Sequence, residues 1–277
     1  MKQDWIRGKT IIVSGAGNGL GKYLTYNLIT MYNCKVIGVD VDEIALSNLK
    51  TKIDEAGSNF EYFCFDAKNE VNWTKFASIL NDEKIVVDIL INCIGQTPKF
   101  DSFDKISYKE TSQVMATNLY SCIFAIKSLY NNLKKSRTPS IINLCCSTIN
   151  IAPVGSSVYS ASKSALKCYT EVLQQELDDF YVGLFMLGLI KTDFWKNQSV
   201  VLQEKLNKRA LSPQKVTEKI IKCIIGKKRR AVIGIDAYIS DRLSRLMPYK
   251  AKVLFNRYLK KNKYRFIDDE QIKTEAK

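Results

Sequence analysis

Apolar positions along the chain fall into two alternating rhythms. Short, nearly continuous apolar runs occupy Lys9–Ser14, Lys35–Val39, Phe60–Phe65 and part of Ile85–Asn92. Between them, apolar residues recur at helical spacing. Leu20, Leu24, Leu28 and Tyr32 share one side of a helix over 19–32. Ile44, Leu46, Leu49 and Ile53 mark a second helix, and Trp73–Leu80 lies in a third. The alternation continues with a helix over Tyr108–Leu133, a strand at Ser140–Cys145, a helix over Ser156–Phe180 and a strand at Val182–Leu187. Residues 188–212 read as irregular or short-helical, Val216–Ile225 as a helix and Ala231–Ile235 as a last strand. Strands apolar on both faces belong in a parallel sheet covered on both sides. Strand–helix alternation implies right-handed βαβ crossovers. The pattern therefore predicts an α/β fold, a doubly wound parallel sheet of about seven strands with helices on both faces. Residues 237–263 read as helical and basic. There is no internal repeat and no linker, so residues 1–235 form one domain and 236–277 a basic amphipathic helical extension.

Composition narrows the chemistry. With 277 residues, 46% hydrophobic and 25% charged, the chain has the makings of a globular protein rather than a disordered one. No apolar run reaches the roughly 18 residues of a membrane-spanning helix. The start, MKQDWIRGKTIIVSG, meets an acid and an arginine before any apolar core, so a cytoplasmic rather than secreted protein is expected. Histidine is absent, which excludes Ser-His-Asp triads, Cys-His pairs and HExxH zinc sites. Any general acid or base must be Tyr, Lys, Asp, Glu or Cys. The eight cysteines form no CxxC pair and match no zinc template, so no metal is expected and they read as small buried hydrophobes. The net charge of +14 is concentrated. Between Lys227 and Arg265, thirteen bases face two acids, an excess of eleven.

After the first strand comes Ser14-Gly15-Ala16-Gly17-Asn18-Gly19-Leu20-Gly21. Glycines at 15, 19 and 21 let the backbone turn sharply and approach a pyrophosphate, and the following helix offers its N-terminal N–H groups to it. An acid at the end of the second strand, Asp40, completes the pattern of a dinucleotide site. Its carboxylate suits ribose hydroxyls and repels a 2′-phosphate, and positions 18 and 41 hold Asn and Val rather than a base. NAD(H) is therefore expected over NADP(H). Asp42 is the alternative ribose partner, although its place suits the first turn of the next helix.

The GxxxGxG spacing resembles that of the short-chain dehydrogenase/reductase family, and the resemblance covers roughly residues 8–235. Tyr159-Ser160-Ala161-Ser162-Lys163 matches the family's TyrxxxLys signature. The resemblance implies a Rossmann-like fold, adenine contacts from Asp66 and Ala67, and cofactor contacts from Asn92 and Gly95. It also implies a catalytic Asn118 in Thr117-Asn118-Leu119, and a nicotinamide carboxamide held by Ile190 and Thr192. Spacing alone puts Tyr159 and Lys163 on one helix face. A free tyrosine has a pKa near 10. Bringing it to about 7 takes roughly 4 kcal/mol, which the Lys163 ammonium and a cationic nicotinamide can supply. Tyr159 then exchanges the hydroxyl proton while hydride moves, and Lys163 also holds the nicotinamide ribose. The resemblance gives Asn118 the anchoring of a proton-relaying water.

The pattern breaks at the family's catalytic serine. Thirteen residues before Tyr159 stands Cys146, in Cys145-Cys146-Ser147. Either Cys146 replaces that serine or Ser147 serves after a one-residue shift. Leu187 stands in place of the family's usual proline. Apolar residues in the expected pocket walls at 148–158, 189–210 and the start of the tail, among them Val154, Phe194, Trp195, Val200, Val201 and Leu202, suggest a hydrophobic secondary alcohol or ketone of steroid, retinoid or fatty type. A 3-oxoacyl thioester is a rival substrate, and a redox sensor or membrane-surface scaffold with weakened catalysis a rival role. The helices at 108–133 and 156–180 resemble the family's oligomer interface, which implies a homodimer or homotetramer. The basic tail suits either peripheral contact with an anionic membrane or simple packing with its charged side in water. No nucleic-acid recognition module is present.

Overall fold

The computed structural model describes residues 5–261. Seven strands pair in parallel in the order β3-β2-β1-β4-β5-β6-β7. They are β1 (Thr10–Ser14), β2 (Lys35–Asp40), β3 (Glu61–Cys64), β4 (Ile89–Asn92), β5 (Ser140–Cys146), β6 (Tyr181–Leu187) and β7 (Arg230–Ile233). Side chains alternate across the sheet, so each strand feeds two cores. Ile11, Val13, Ile89, Ile91, Ile142 and Leu144 face α1 (Gly19–Thr30), α2 (Glu43–Glu55) and α8 (Pro213–Ile225). Ile12, Leu90, Ile141 and Val182 face α3 (Glu70–Asp82), α5 (Ser121–Leu133) and α6 (Ser157–Glu176). The expected doubly wound Rossmann-like sheet is therefore the fold. Winding reverses between β1 and β4, and at such a switch point a crevice opens beyond the strand ends.

The helix expected over 108–133 is one rod with an irregular turn. It runs as α4 (Tyr108–Met115), a π-helical turn (Ala116–Tyr120) and α5, with Ser121 N–H donating to the Ala116 carbonyl. A capping box between Ser107 and Glu110 opens it. The π turn lets three consecutive residues, Thr117, Asn118 and Leu119, all be buried. A regular 3.6-residue turn would bring one of them to the surface, and such turns recur at functional sites.

Residues 188–212 resolve into a short 3-10 turn (Asp193–Trp195) and α7 (Val200–Arg209). The last strand is shorter than expected. It stops at Ile233 because Gly234, at φ 122°, turns the chain into α9 (Ile235–Leu246). The expected single tail helix is two, α9 and α10 (Pro248–Lys261). The break falls at Met247, whose following proline disfavours helical backbone there while starting a helix well itself. The expected boundary at 235/236 thus falls in the first turn of α9, and residues 262–277 of the expected helical extension lie outside the described residues. No helix of the described residues is long and apolar enough to cross a membrane. Of the cysteines, Cys64 and Cys168 are exposed and Cys93 and Cys146 half-buried, so only the remaining four are the buried hydrophobes expected.

Candidate active site

The crevice at the β1/β4 switch is a cleft of about 700 Å³. Its floor at one end is the glycine loop. Gly15 sits at φ 77° against the chain after β4, where a Cβ would lie 3.1 Å from the Ile94 nitrogen. A Cβ on Gly21 would lie 1.8 Å from the Gly15 carbonyl oxygen, so only glycine lets α1 start so close to the loop. No side chain caps the first turn of α1. Its N–H groups and positive dipole end therefore face the cleft as an anion site.

Asp40, at the tip of β2, accepts from the Gly17, Val41 and Asp42 N–H groups at 2.9, 2.8 and 3.2 Å. This holds its carboxylate at the cleft wall. Asp42 instead caps α2 through the Ala45 N–H and takes a bond from the Asn18 amide at 3.0 Å. Those bonds hold its carboxyl below the usual range, that from the Ala45 N–H contributing most. Asp66 and Ala67 line the same end, with Lys68 paired to Asp66 at 3.4 Å.

At the other end, Tyr159 and Lys163 come off α6. Lys163 is buried, its Nζ 3.5 Å from the Ile94 carbonyl and 3.1 Å from where a Gly95 Cβ would be. Tyr159 is 2% exposed, and its hydroxyl hydrogen-bonds the Cys146 thiol. Burial pushes the phenol well above its ordinary pKa, and the neighbouring Cys146 and Cys145 push the same way. The Lys163 ammonium is turned toward Ile94 and Gly95, where the nicotinamide end of the cleft lies. Phe100, Phe194 and Trp195 close around the phenol, with the Phe100 and Phe194 ring centroids 6.1 and 6.0 Å from that of Tyr159.

Ile190 and Thr192 line the cleft beyond β6, as do Asn18, Gly19, Leu20 and Gly95. Four expected residues do not line it. Ser147 is buried in the turn after β5, so of the two serine substitutes only Cys146 reaches the cleft. Ser14 and Asn92 lie beneath the cleft in a polar chain across the sheet. Ser14 Oγ donates to Asn92 Oδ1, Asn92 Nδ2 to Asn143 Oδ1, and Asn143 Nδ2 to Thr170 Oγ1, at 3.3, 2.8 and 2.9 Å. These residues stand side by side in strand register, which ties β1, β4 and β5 to α6 at the level of the site. Asn118 is a clamp. Its Oδ1 accepts from Gln96 N–H, and its Nδ2 donates to the Gln96 carbonyl and to Ser162 Oγ, at 2.8, 3.0 and 3.0 Å. Ser162 in turn donates to the Tyr159 carbonyl, so the π turn fixes both the loop after β4 and the turn of α6 bearing the tyrosine.

The apolar wall also differs from expectation. Val154, Val200 and Val201 are exposed. Ser199 caps α7 and sets its phase so that Leu202, an expected wall residue, and Leu206 face Tyr159's cluster. Sequence reasoning missed Phe100 and two latching amides. Asn197 donates to the Thr97 carbonyl at 2.9 Å, and Gln198 bridges the Pro98 carbonyl and the Phe100 N–H at 2.7 and 3.1 Å. Nothing in the local pattern announces contacts about a hundred residues apart.

A doubly wound sheet, a phosphate cradle at its switch point and a Tyr/Lys pair beside it define a nicotinamide-type oxidoreductase. A family model described as short chain dehydrogenase matches residues 9–201, and the chain belongs to that family. Among curated proteins, the chain is 28% identical over 193 residues to a 3-oxoacyl-[acyl-carrier-protein] reductase of Vibrio cholerae, a match spanning 69% of this chain and 77% of the relative. Among solved structures, a short chain dehydrogenase/reductase from Burkholderia phymatum in complex with NAD superposes with a TM-score of 0.76 at 18% identity, covering 87% of this chain and 94% of the other. A short chain dehydrogenase from Shigella flexneri complexed with NADP gives 0.73 at 18% identity, covering 83% and 98%. Likeness at that identity carries the fold alone.

Proposed function

We propose that the protein is an NAD(H)-dependent oxidoreductase that interconverts a hydrophobic secondary alcohol and its ketone. The observation that carries this reading is Tyr159, a phenol packed among Phe100, Phe194 and Trp195 at one end of a cleft whose other end is a glycine cradle and an acid. The donor set fits a dinucleotide. The uncapped first turn of α1 and the close-packed glycines would hold the pyrophosphate. Asp40 would take the adenosine ribose, and Lys163 the nicotinamide ribose. Bound there, the nicotinamide supplies hydride exchange.

The chain's own residues manage the proton and the orientation. Tyr159 stays protonated because burial disfavours phenolate, so it is poised to donate to a carbonyl oxygen during reduction. Oxidation runs through the phenolate, formed once the tyrosine's own proton has left, and the alcohol proton then moves to that oxygen. Cys146, hydrogen-bonded to that phenol, stands where it can donate a second bond to the substrate oxygen. Asn118 acts through others by fixing the Gln96 loop and the Tyr159 turn. Apolar rings around the phenol exclude water and favour an apolar substituent on the reacting carbon. Asp40, with Asp42 nearby and Lys68 already paired, disfavours a 2′-phosphate.

A narrower version of the substrate class is favoured by the Vibrio relative's name. A 3-oxoacyl thioester also presents a ketone on an apolar chain. Oxidation of NADH and of NADPH should be followed with hydrophobic ketones and with a 3-oxoacyl thioester in parallel. Turnover with NADH that vanishes in Tyr159→Phe supports the reading. Tight NADH binding without turnover on either substrate class would move the protein to the sensor or scaffold role.

A further inference from the structure

The two terminal helices carry a surface that the reaction does not use. α9 buries Ala237, Ser240 and Asp241, and α10 buries Ala251. Asn256 fastens α10 to the loop after β5, donating to the Ile151 and Ala152 carbonyls and accepting from Val154 N–H at 3.1 Å. The Arg209 guanidinium at the end of α7 lies 5.7 Å from the Tyr258 ring. The pair of helices therefore packs against both segments that flank Tyr159.

The outer face of this pair has an unusual composition. On α9, Ile235, Ile239, Arg242 and Leu246 recur at helical spacing and are all exposed. Ile235, Leu246 and Tyr249 are 72%, 78% and 79% exposed, far beyond what scattered surface residues need. All seven bases from Arg242 to Lys261 are exposed. Neither acid is. Asp236 accepts from the Leu189 N–H at 2.8 Å, and Asp241 is buried against Arg230 at 2.6 Å. So among the described residues of α9 and α10 this face combines large apolar side chains with seven exposed bases and no exposed acid, Arg245 reaching the buried Asp241 at 3.4 Å.

We propose that the outer face of α9 and α10 docks the protein on an anionic bilayer. In water each half of this composition is unfavourable, since the apolar groups stay hydrated and the bases repel one another. At a headgroup boundary both are satisfied. Ile235, Ile239, Leu246 and Leu254 enter the acyl edge, tyrosines sit at headgroup level, and lysines and arginines meet lipid phosphates. α10 is fastened to the loop after β5 and the end of α7, so docking would bring these segments, and with them the site of a poorly soluble ketone, close to the bilayer. That last point rests on the proposed substrate class, while the docking itself does not.

The test is flotation of the full chain with vesicles of phosphatidylcholine alone and of phosphatidylcholine with about one-third phosphatidylserine. Binding to the anionic vesicles that weakens with salt is expected. Lys250→Gln, Arg257→Gln and Lys260→Gln together should weaken it on the order of 100-fold, since each base near such a surface contributes about fivefold. Leu246→Ser, Tyr249→Ser and Leu254→Ser together should weaken it by about tenfold or more, with the fold intact because all three are exposed. Absence of the native chain from floated anionic vesicles overturns the proposal, as does equal flotation of native chain and both triple variants. A native dimer by light scattering that the apolar triple variant makes monomeric would assign the face to a second copy, and overturns it too. Ketone reduction by the variants in detergent-free buffer keeps this result separate from the catalytic reading.

Discussion

Replacing Cys146 with serine should make the enzyme faster and move its pH profile. The thiol touches the Tyr159 phenol and, with burial, raises its pKa. A serine hydroxyl is a stronger donor to a phenolate than a thiol is. In a buried site that difference is worth about 1–1.5 kcal/mol, close to one pH unit in the tyrosine's ionisation. The rise of kcat/KM with pH in the alcohol-oxidising direction should therefore shift about one unit lower in Cys146→Ser. The same hydroxyl would strengthen the bond to the substrate oxygen. A complete oxyanion donor is worth about 10²–10³ in rate, so recovery of part of it predicts roughly a tenfold gain in kcat. Cys146→Ala, which removes the thiol without supplying a donor, should lose rate, and Ser147→Ala should change neither rate nor profile. The assay is a steady-state pH series on all three variants with one hydrophobic alcohol. A Ser147→Ala loss of a hundredfold or more, beside an unmoved Cys146→Ser profile, would refute the reasoning and restore Ser147 to the chemistry.

Three further outcomes are expected. Asp40→Asn removes the charge and, because its amide nitrogen cannot accept, gives up the N–H bonds on one side of the carboxylate, so the NAD(H) preference over NADP(H), read as a ratio of kcat/KM values, should fall by on the order of 10–100-fold. A native preference for NADP(H) would remove Asp40 from the argument. Gly21→Ala forces a methyl into the Gly15 carbonyl, so NADH binding by fluorescence titration should weaken more than tenfold and the Tm should drop, the overlap costing about 3 kcal/mol. Asp241→Asn leaves Arg230 without its partner and should cost about 1–2 kcal/mol at neutral pH by urea unfolding, since the arginines are partly in water. Burial opposes the Asp241 charge, but Arg230 and Arg245 together hold its carboxyl below the ordinary value. A group depressed on folding contributes stability above its unfolded pKa, about 4, and loses it as pH falls. The gap between native and variant should therefore close below about pH 4.

Much of the architecture was legible because both cores are written in local periodicity. Ile11 and Val13 against Ile12 is a two-residue alternation, and Leu24 with Leu28 a helical one. The cradle and the Tyr159–Lys163 pair were legible because each is a short motif. Less so was what depends on phase or distance. Val200 and Val201 look like a pocket wall until Ser199's cap rotates them outward. Asn92 reads as a cofactor contact until strand register places Asn143 beside it. The π turn at Ala116–Tyr120 leaves no signature in a sequence that is continuously compatible with helix. The break before Pro248, by contrast, was written in the chain.

The latch formed by Asn197 and Gln198 has a kinetic consequence. Three hydrogen bonds to the backbone of residues 97–100 hold the segment bearing Phe194 and Trp195 over a tyrosine that solvent scarcely reaches. Widening the approach to that phenol, for an entering ketone or a leaving alcohol, means breaking them. Opening then stands in series with chemistry, and motions of this size run on the microsecond-to-millisecond scale. Where opening for release is the slow step, the first turnover outruns those that follow, and the steady rate reports how often the door swings rather than how quickly hydride moves.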